Sequence, residues 1–340
     1  MTYLKLGKPE FYKDTMKPDF FLNANKIVKY QESYNYWIYS TGKKVYKVKK
    51  KEAMSSAISL DKVFCTEIVD LISRHSPELE AEVQTLHKSK DSFGLFPLDS
   101  QVSKNPYYVI VMNQLSSRLF LDKLILKNMV SESMLEMLSR FLIQFHQATQ
   151  AATSKNAPTA DFLSAKLEDL FYQSRKYLSQ TISQAVIDMT QHPLERYFHD
   201  AKKLIARRTK KGCVKKVHGC FVPRKINLQK DLVLCLGKSA EPLKNQYMDV
   251  ASDIADLTVE LSHFKLGNEA GIFTESYQKL SKDKELPLIM PIFLALRCLS
   301  QGLKHSMATE FTKGEEKQQH QKRAASYYEQ LIPIVKKLPT

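Results

Sequence analysis

Apolar residues recur along this chain at two different periods, and the period changes near residue 112. Residues 34–51 alternate apolar and polar side chains around a Thr-Gly-Lys turn, and residues 107–115 form a short apolar run. A period of two is typical of strands, so these segments predict an antiparallel sheet. A helical pattern lies between them over residues 60–75. The first third of the chain is therefore predicted to be a small sheet with one helix.

After this point the apolar spacing is helical almost throughout. The clearest helix start is Ser131, whose hydroxyl suits an N-cap and is followed by Glu132 at the positive end of the helix dipole. Residues 151–160 form a polar connector, and helical patterns resume through residues 161–211. A further helix is predicted from Asp249, and the C-terminal stretch has the pattern of a polar helix that becomes amphipathic. This part is predicted to be mainly helical.

The segment 217–260 carries the most specific pattern, VHGCFVPRKINLQKDLVLCLGKSAEPLKNQYMDVASDIADLTVE. A His-Gly pair opens it, an apolar strand follows, and Asp249 and Asp253 stand four positions apart at the start of a helix. This order resembles the catalytic loop of the aminoglycoside phosphotransferase-like kinases. In that family His-Gly-Asp is followed by an Asn, then by an apolar strand ending in a second Asp, and then by an Asp-x-x-x-Asp-Ile-Ala helix.

The resemblance extends to other segments in the same order. Lys47 matches the strand lysine that such kinases direct at the nucleotide phosphates, and Glu67 matches the helix glutamate that pairs with it. Residues 107–115 resemble the hinge strand, and residues 134–149 resemble the first long helix of the second lobe. The resemblance implies an α+β, bilobal protein-kinase-like fold. It has a small antiparallel-sheet N-lobe at residues 1–111 and a mainly helical C-lobe at residues 112–340. The degenerate catalytic loop lies within the C-lobe, at residues 212–240.

The chain departs from the family at each position that carries its chemistry. The catalytic Asp position is Cys220, the metal-binding Asn position is Lys225 and the second metal-binding Asp position is Gly237. Phosphoryl transfer depends on divalent cations held by carboxylate and amide oxygens, and on a carboxylate that orients the acceptor hydroxyl. A thiol, an ammonium group and a bare glycine supply none of these. The resemblance therefore implies a degenerate pseudokinase that is not an enzyme and that uses no metal and no cofactor.

The retained positions receive roles from the same resemblance. Lys47 and Glu67 belong to the vestigial nucleotide site, with a purely structural ion pair between them as the alternative. Support of the loop is assigned to His218, Asp249 and Asp253. Farther along the helix, Asp256 and Glu260 are expected to be solvated or paired with lysines, and His146 is expected in the core.

The net charge of +15 and the pI near 9.4 change the picture of possible partners. Between residues 201 and 230 eleven residues are basic and none is acidic. A surface of one sign attracts anionic partners, although clustered lysines also serve only to keep a surface soluble. No helix-turn-helix, RRM, KH or zinc-finger pattern is visible, so sequence-specific nucleic-acid recognition is not supported. The candidate anionic-partner face consists of Lys202, Lys203, Arg207, Arg208, Lys210, Lys211, Lys215 and Lys216.

Cysteine usage and apolar runs predict the compartment. The five cysteines include no CxxC pair and no His/Cys cluster at ligand spacing, which argues against a zinc site and fits free thiols in a reducing cytoplasm. The longest apolar run, residues 286–296, is interrupted by Pro291 and ended by Arg297, so no transmembrane segment is predicted. The first residues carry charges where a signal peptide needs an apolar stretch. A cytoplasmic location is expected.

These observations predict a catalytically inactive pseudokinase that acts as a protein interaction or scaffold module in a larger assembly, through a partner with an acidic surface. Two alternatives stay open. In the first, Lys225 and Lys47 neutralise phosphate charge themselves, so the protein binds a nucleotide without Mg²⁺ or is an atypical phosphotransferase. In the second, the basic face binds a polyanion such as nucleic acid or anionic lipid.

Overall fold

The computed structural model describes residues 7–21, 28–33, 36–51, 58–100, 105–229, 232–236 and 247–338. The elements of the N-terminal part are, in order, α1 (Tyr12–Thr15), β1 (Lys29–Glu32), β2 (Tyr36–Ser40), β3 (Lys44–Lys49), α2 (Ile58–His75), β4 (Glu82–Ser89), β5 (Ser92–Pro97) and β6 (Tyr107–Asn113). The strands form one antiparallel sheet in the order β1-β2-β3-β6-β4-β5. The predicted antiparallel-sheet lobe is confirmed.

Both faces of this sheet are covered by apolar side chains. Tyr46 and Val48 of β3 belong to an aromatic core on one face, together with residues of the N-terminal segment such as Phe11. Val45 belongs to the core between the sheet and α2. Because side chains alternate along a strand, Lys47 shares the α2 side of the sheet with Val45. The strand lysine therefore lies on the side of the sheet that faces the helix.

The β4–β5 hairpin was missed by the sequence analysis. Its strands are joined by a tight turn in which Lys90 has φ +55°, and its centre pairs His87 with Gly94. Alternation is weak here because His87 is buried and the facing strand carries a glycine and a proline, residues depleted in strands. Strand propensity alone therefore does not predict this hairpin. Its place in the sheet depends on the pairing of β4 with β6.

The C-terminal part is mainly helical, as predicted. Its elements are α3 (Leu121–Leu126), α4 (Glu132–Ala148), α5 (Ala160–Ser174), α6 (Gln184–Asp200), α7 (Lys202–Lys210), β7 (Val214–Lys216), β8 (Ile226–Gln229), β9 (Leu232–Cys235), β10 (Tyr247–Asp249), α8 (Ala251–His263), α9 (Gly267–Ser281), α10 (Leu286–Ala308), α11 (Gly314–Glu329) and α12 (Leu331–Lys336). The predicted N-cap is present, since the hydroxyl of Ser131 accepts from the N–H of Met134 at 3.3 Å. Strands β7 and β10 pair, as do β8 and β9.

The central helix of this part is α10, which packs between α5, α8 and α11. Pro291 interrupts the apolar run in the sequence, but it does not interrupt the helix. Pro291 is buried inside the helix, where packing outweighs the hydrogen bond that proline removes. By length and composition α10 could cross a membrane. However, 72% of its most apolar 18-residue segment is buried inside the protein, as in the core helix of a folded domain.

Three histidines join α8, α10 and α11 at one end of this packing. His305 Nδ1 lies 2.8 Å from His320 Nδ1, and the rings of His263 and His305 stack on Tyr327. The pKa of His305 is lowered to about 3, first by burial and then by the nearby charges of Lys304, His320 and Arg323. His305 therefore stays neutral in the folded protein at any pH near neutrality.

We expect the protein to lose stability as the pH falls below 6.5, because the unfolded chain protonates His305 there and the folded chain does not. Between pH 7 and pH 5.5 this loss is about 1 kcal/mol from this residue. Urea unfolding at the two pH values measures it. The decline should shrink in His305→Gln and persist in His192→Gln, a change at an exposed histidine. An undiminished decline in His305→Gln would contradict the assignment.

Candidate functional site

The loop that follows β7 is held against α8 first by the carboxylate of Asp253. The backbone N–H groups of His218 and Gly219 donate to the two oxygens of Asp253, each at 2.7 Å. Gly219 has φ +70°, which a residue with a side chain rarely adopts. Asp253 is fully buried. It makes the loop contacts that the sequence analysis predicted for it.

A second group of bonds holds Asp253 itself. His146 Nε2 donates to Asp253 Oδ2 at 3.0 Å, and His146 Nδ1 lies 2.8 Å from the Tyr277 hydroxyl. Burial alone would raise the pKa of Asp253, but the hydrogen bonds from His146 and from the loop hold it below its ordinary value. His146 is in the core, as expected, and it also orients the carboxylate that shapes the loop.

His218 is buried beneath the same loop. Its ring packs against Phe145 and Phe221, and its Nε2 lies 3.2 Å from the thiol sulfur of Cys235 on β9. Burial raises the pKa of the Cys235 thiol. His218 thus joins the loop to the neighbouring hairpin and supports the loop from below.

Asp249 does not brace the loop, and that prediction is wrong. Its carboxylate receives two hydrogen bonds from the guanidinium of Arg208, at 2.6 and 2.9 Å, and one from the N–H of Ala251. Asp283 receives two more from the same guanidinium, at 2.9 and 2.8 Å. These carboxylates raise the pKa of Arg208 against the effect of its burial. The three residues join α7, β10 and the connection between α9 and α10.

Asp256 is the second carboxylate that holds the loop, and the expectation of a solvated or lysine-paired side chain is wrong. Its Oδ2 accepts from the N–H of Phe221 at 3.2 Å, and its Oδ1 lies 3.1 Å from Arg297. Arg297 also contacts Glu260 at 3.3 Å, and Tyr327 donates to Glu260 at 3.0 Å. Burial raises the pKa of Asp256 to about 6, although Arg297 opposes the shift.

The structural ion pair between Lys47 and Glu67 is absent among the residues that the structure describes. Glu67 lies 4.0 Å from Lys216 instead, and the link from β3 to α2 is made by Lys49 and Asp61 at 3.6 Å. Lys49 is two residues along the strand from Lys47, so both share the α2 side of the sheet. The structural role therefore belongs to the neighbouring lysine.

Lys47 lies close to Lys225. The pKa of Lys47 is lowered to about 8, first by burial and then by the charge of Lys225. Lys225 ends a 3-10 turn, and its carbonyl accepts from the N–H of Leu236 at 2.8 Å, which ties the turn to the end of β9. Cys220 is partly exposed in the loop before the turn, and Gly237 lies outside the described residues. The charge of Lys225 thus acts on Lys47, and the two residues occupy the positions where the family has a lysine and a metal ligand.

The candidate anionic-partner face is mostly paired within the protein. Arg208 is fully buried between two carboxylates, so its assignment to a surface is wrong. Arg207 and Lys211 both contact Glu285, at 2.6 and 2.8 Å. The remaining partners are Asp161 for Lys202, the carbonyl of His146 for Lys215, and Glu67 for Lys216. Within the described residues, the members of this face without an ion pair or hydrogen bond are Lys203 and Lys210.

Solved structures share this architecture along almost the whole chain. The complex of the aminoglycoside phosphotransferase APH(2'') with GDP and kanamycin is 12% identical, with a TM-score of 0.56 over 95% of this chain and 98% of that one. A microcompartment-associated aminopropanol kinase is 12% identical, with a TM-score of 0.53 over 90% and 92% of the two chains. A thermostable mutant of the aminoglycoside phosphotransferase APH(4)-Ia is 11% identical, with a TM-score of 0.50 over 89% and 94%.

No protein-family model matches the chain, and no curated protein matches it. The structural likeness nevertheless defines the class of fold. It is the bilobal, kinase-like fold of the aminoglycoside phosphotransferases and small-molecule kinases.

Proposed function

We propose that this chain is a kinase-like protein without phosphotransferase activity that acts as an interaction module, with a protein partner of acidic surface. One observation carries the proposal. The brace of the catalytic-type loop is complete, through Asp253 and Asp256, while the loop bears Cys220 and Lys225 where the family has a catalytic and a metal-binding residue. A maintained loop without its reacting groups favours a function that depends on shape.

The charge of the cleft also argues against an acceptor of the kind that the similar structures name. They include a complex with kanamycin and an aminopropanol kinase, and kanamycin and aminopropanol are both compounds that carry amines. An amine is a cation near neutral pH, and here Lys47 and Lys225 already repel each other. A cationic acceptor would add to that repulsion. We therefore do not extend aminoglycoside or amino-alcohol phosphorylation to this chain.

Metal-independent nucleotide binding is the second candidate, and the effect of the Lys225 charge on Lys47 favours it. Phosphate oxygens placed between the two ammonium groups would relieve their repulsion without a divalent cation. This candidate differs from the first in needing a small ligand. Binding of a polyanion through the basic face loses support, because internal carboxylates already neutralise most of that face.

We expect ATP and GTP to produce no Mg²⁺-dependent increase in melting temperature, because Cys220, Lys225 and Gly237 offer Mg²⁺ no hard oxygen ligand. A ligand at a hundred times its dissociation constant adds about 2.7 kcal/mol, so the assay would detect binding easily. The comparison is nucleotide with Mg²⁺ against nucleotide with EDTA. A shift that requires Mg²⁺ would overturn the proposal, and a shift in EDTA would favour the second candidate.

The matched control restores the family's residues. The triple variant Cys220→Asp, Lys225→Asn, Gly237→Asp should gain a Mg²⁺-dependent shift, because the loop brace is untouched. This variant shows that the assay reports on the intended site.

The interaction role is tested by affinity capture from native lysate, with proteins and nucleic acid analysed together. A protein partner should be retained equally by the wild type and by Cys220→Ala. Capture of nucleic acid that weakens steeply with salt would instead support the polyanion alternative. In that case Lys203→Glu with Lys210→Glu, changes at the two cations without internal partners, should abolish it.

A further inference from the structure

The outward side of α3 carries an exposed leucine between two lysines. The inward side consists of apolar residues that are buried in the core, namely Leu121, Leu124 and Ile125. Lys123, Leu126 and Lys127 are spaced at i, i+3 and i+4, so they are neighbours on the opposite side of the helix. Leu126 is 67% exposed, which is more than any other leucine among the described residues.

The turn after α3 adds a second exposed apolar side chain. The N–H of Asn128 donates to the carbonyl of Ile125 at 2.9 Å, and the N–H of Met129 donates to the carbonyl of Leu124 at 2.9 Å. Asn128 has φ +54°, so these bonds form a left-handed helix cap. They fix the backbone of Met129 three residues after Leu126, yet the side chain of Met129 is 54% exposed.

The positive charge of this surface is not neutralised within the protein. In the part of the chain that the structure describes, Lys127 makes no ion pair and no side-chain hydrogen bond. Lys123 contacts only its neighbour Asp122, at 3.5 Å, and such an exposed pair contributes little. Residues 117–130 include three basic residues and one acidic residue. This surface therefore differs from α7, whose cations are mostly paired with carboxylates.

The position of α3 depends on the loop that Asp253 and Asp256 hold. The helix packs against the 3-10 turn Pro223–Lys225, which follows the loop. The side-chain amide of Asn227, just after this turn, donates to the carbonyl of Ser116 at 2.9 Å, just before α3. The loop brace thus also determines where α3 lies. A function that depends on the shape of the loop can therefore be exerted through this helix.

We infer that Lys123, Leu126, Lys127 and Met129, here called the α3 face, are the docking surface for an acidic, amphipathic segment of a partner protein. Apolar side chains of that segment contact Leu126 and Met129, and its carboxylates pair with the two lysines. The inference rests on the proposed function, because it locates the surface that the acidic partner contacts.

Other anionic partners fit the α3 face less well. Leu126 and Met129 gain nothing from the phosphates of a nucleic acid, which are bound by cations and polar groups. Recognition of an anionic membrane typically uses about four to eight clustered cations, whereas this face has two. A second copy of the chain has the same net charge of +15, so its approach is opposed by repulsion.

Cross-linking inside cells of the source organism tests the surface in the full chain. A photoreactive phenylalanine analogue replaces Leu126 or Met129, and in matched controls it replaces Tyr172 or Met189, which are 77% and 50% exposed on α5 and α6. We expect the α3 face to cross-link to one segment of a protein that carries both carboxylates and apolar side chains. The yield should be at least tenfold higher than from the control positions.

The affinity of that segment, made as a synthetic peptide, tests each part of the α3 face. Binding should be at least tenfold weaker in Lys123→Glu, Lys127→Glu, and a peptide whose carboxylates are exchanged for lysines should restore it. Leu126→Ser, Met129→Ser should also weaken binding at least tenfold, while Tyr172→Ser, Met189→Ser should stay within twofold of the wild type. All these side chains are exposed, so the variants should melt like the wild type.

Three outcomes would overturn the inference. They are equal cross-linking from the control positions, cross-links only to nucleic acid, lipid or a second copy of the chain, and undiminished peptide binding in the charge-reversed variant. Cross-links to an acidic protein from elsewhere on the chain would refute the location and leave the interaction role standing. Phosphate transfer from Mg²⁺-ATP, measured separately, would refute the proposed function itself.

Discussion

Arg208→Ala is expected to destabilise the protein by about 3–5 kcal/mol, because it leaves the buried carboxylate of Asp249 and the partly buried carboxylate of Asp283 without their cation. The guanidinium is 0% exposed and makes four hydrogen bonds of 2.6–2.9 Å to Asp249 and Asp283. A small protein domain has only about 5–15 kcal/mol of stability in total. Urea unfolding of the variant measures the loss directly, as a lower midpoint than that of the wild type.

The neighbouring residue provides the control. Arg207 is also in an ion pair, with Glu285 at 2.6 Å, but its side chain is 51% exposed. Arg207→Ala should therefore cost less than about 1 kcal/mol. The combination Arg208→Met, Asp249→Asn, Asp283→Asn should recover part of the loss, because no uncompensated charge stays buried. If Arg208→Ala were as mild as Arg207→Ala, the buried network would contribute nothing to folding.

The burial of Arg208 could not be recognised from the run of basic residues in which it lies. In the sequence it is one of eleven basic residues, and the run as a whole favours an exposed surface. Its partners stand 41 and 75 residues away, so no local pattern announces them. One feature of the sequence does indicate that Arg208 is buried. Leu204, Ile205 and Arg208 fall on one side of a helix at spacings of three and four, and that side of α7 is buried.

The order of the segments that form the candidate site could be predicted from the sequence, but most of the contacts between their side chains could not. The order of the loop and of the helix after it follows from the sequence, although the helix predicted from Asp249 begins at Ala251 because Asp249 ends β10. The contact of Asp253 with the loop followed from the resemblance. Asp256 was misplaced because a carboxylate beside an apolar stripe is normally exposed. Its burial depends on Arg297, 41 positions farther on, which the fold alone brings to it.

The pairing of Lys47 with Glu67 was misassigned for the same reason. Lys47 and Lys49 lie on the same side of β3, and alternation cannot decide which of them reaches α2. The ion pair falls on Lys49 and Asp61, and it leaves Lys47 near Lys225. The family resemblance predicted the strand and the helix correctly. The pairing required the register of the strand against the helix, which is a property of the packed structure.

Asp253→Ala is expected to cost about 3 kcal/mol or more, because it removes the acceptor of three hydrogen bonds at once. The N–H groups of His218 and Gly219 and the ring of His146 would lose their partner in the core. Each unsatisfied buried donor costs about 1–3 kcal/mol. Urea unfolding measures the loss of stability, and hydrogen exchange at the two loop amides should become faster than in the wild type.

The matched variants separate the brace from the chemistry. Asp253→Asn keeps one accepting oxygen and places an amide donor against the loop, so its loss should be intermediate. Cys220→Ala and Lys225→Ala leave the brace intact and should fold like the wild type. If function depends on shape, both should complement a deletion strain, and Asp253→Ala should not. A Cys220→Ala or Lys225→Ala protein that folds fully and fails to complement would show that these positions touch a ligand. The cleft would then act by binding, and the metal-independent candidate would replace the interaction module.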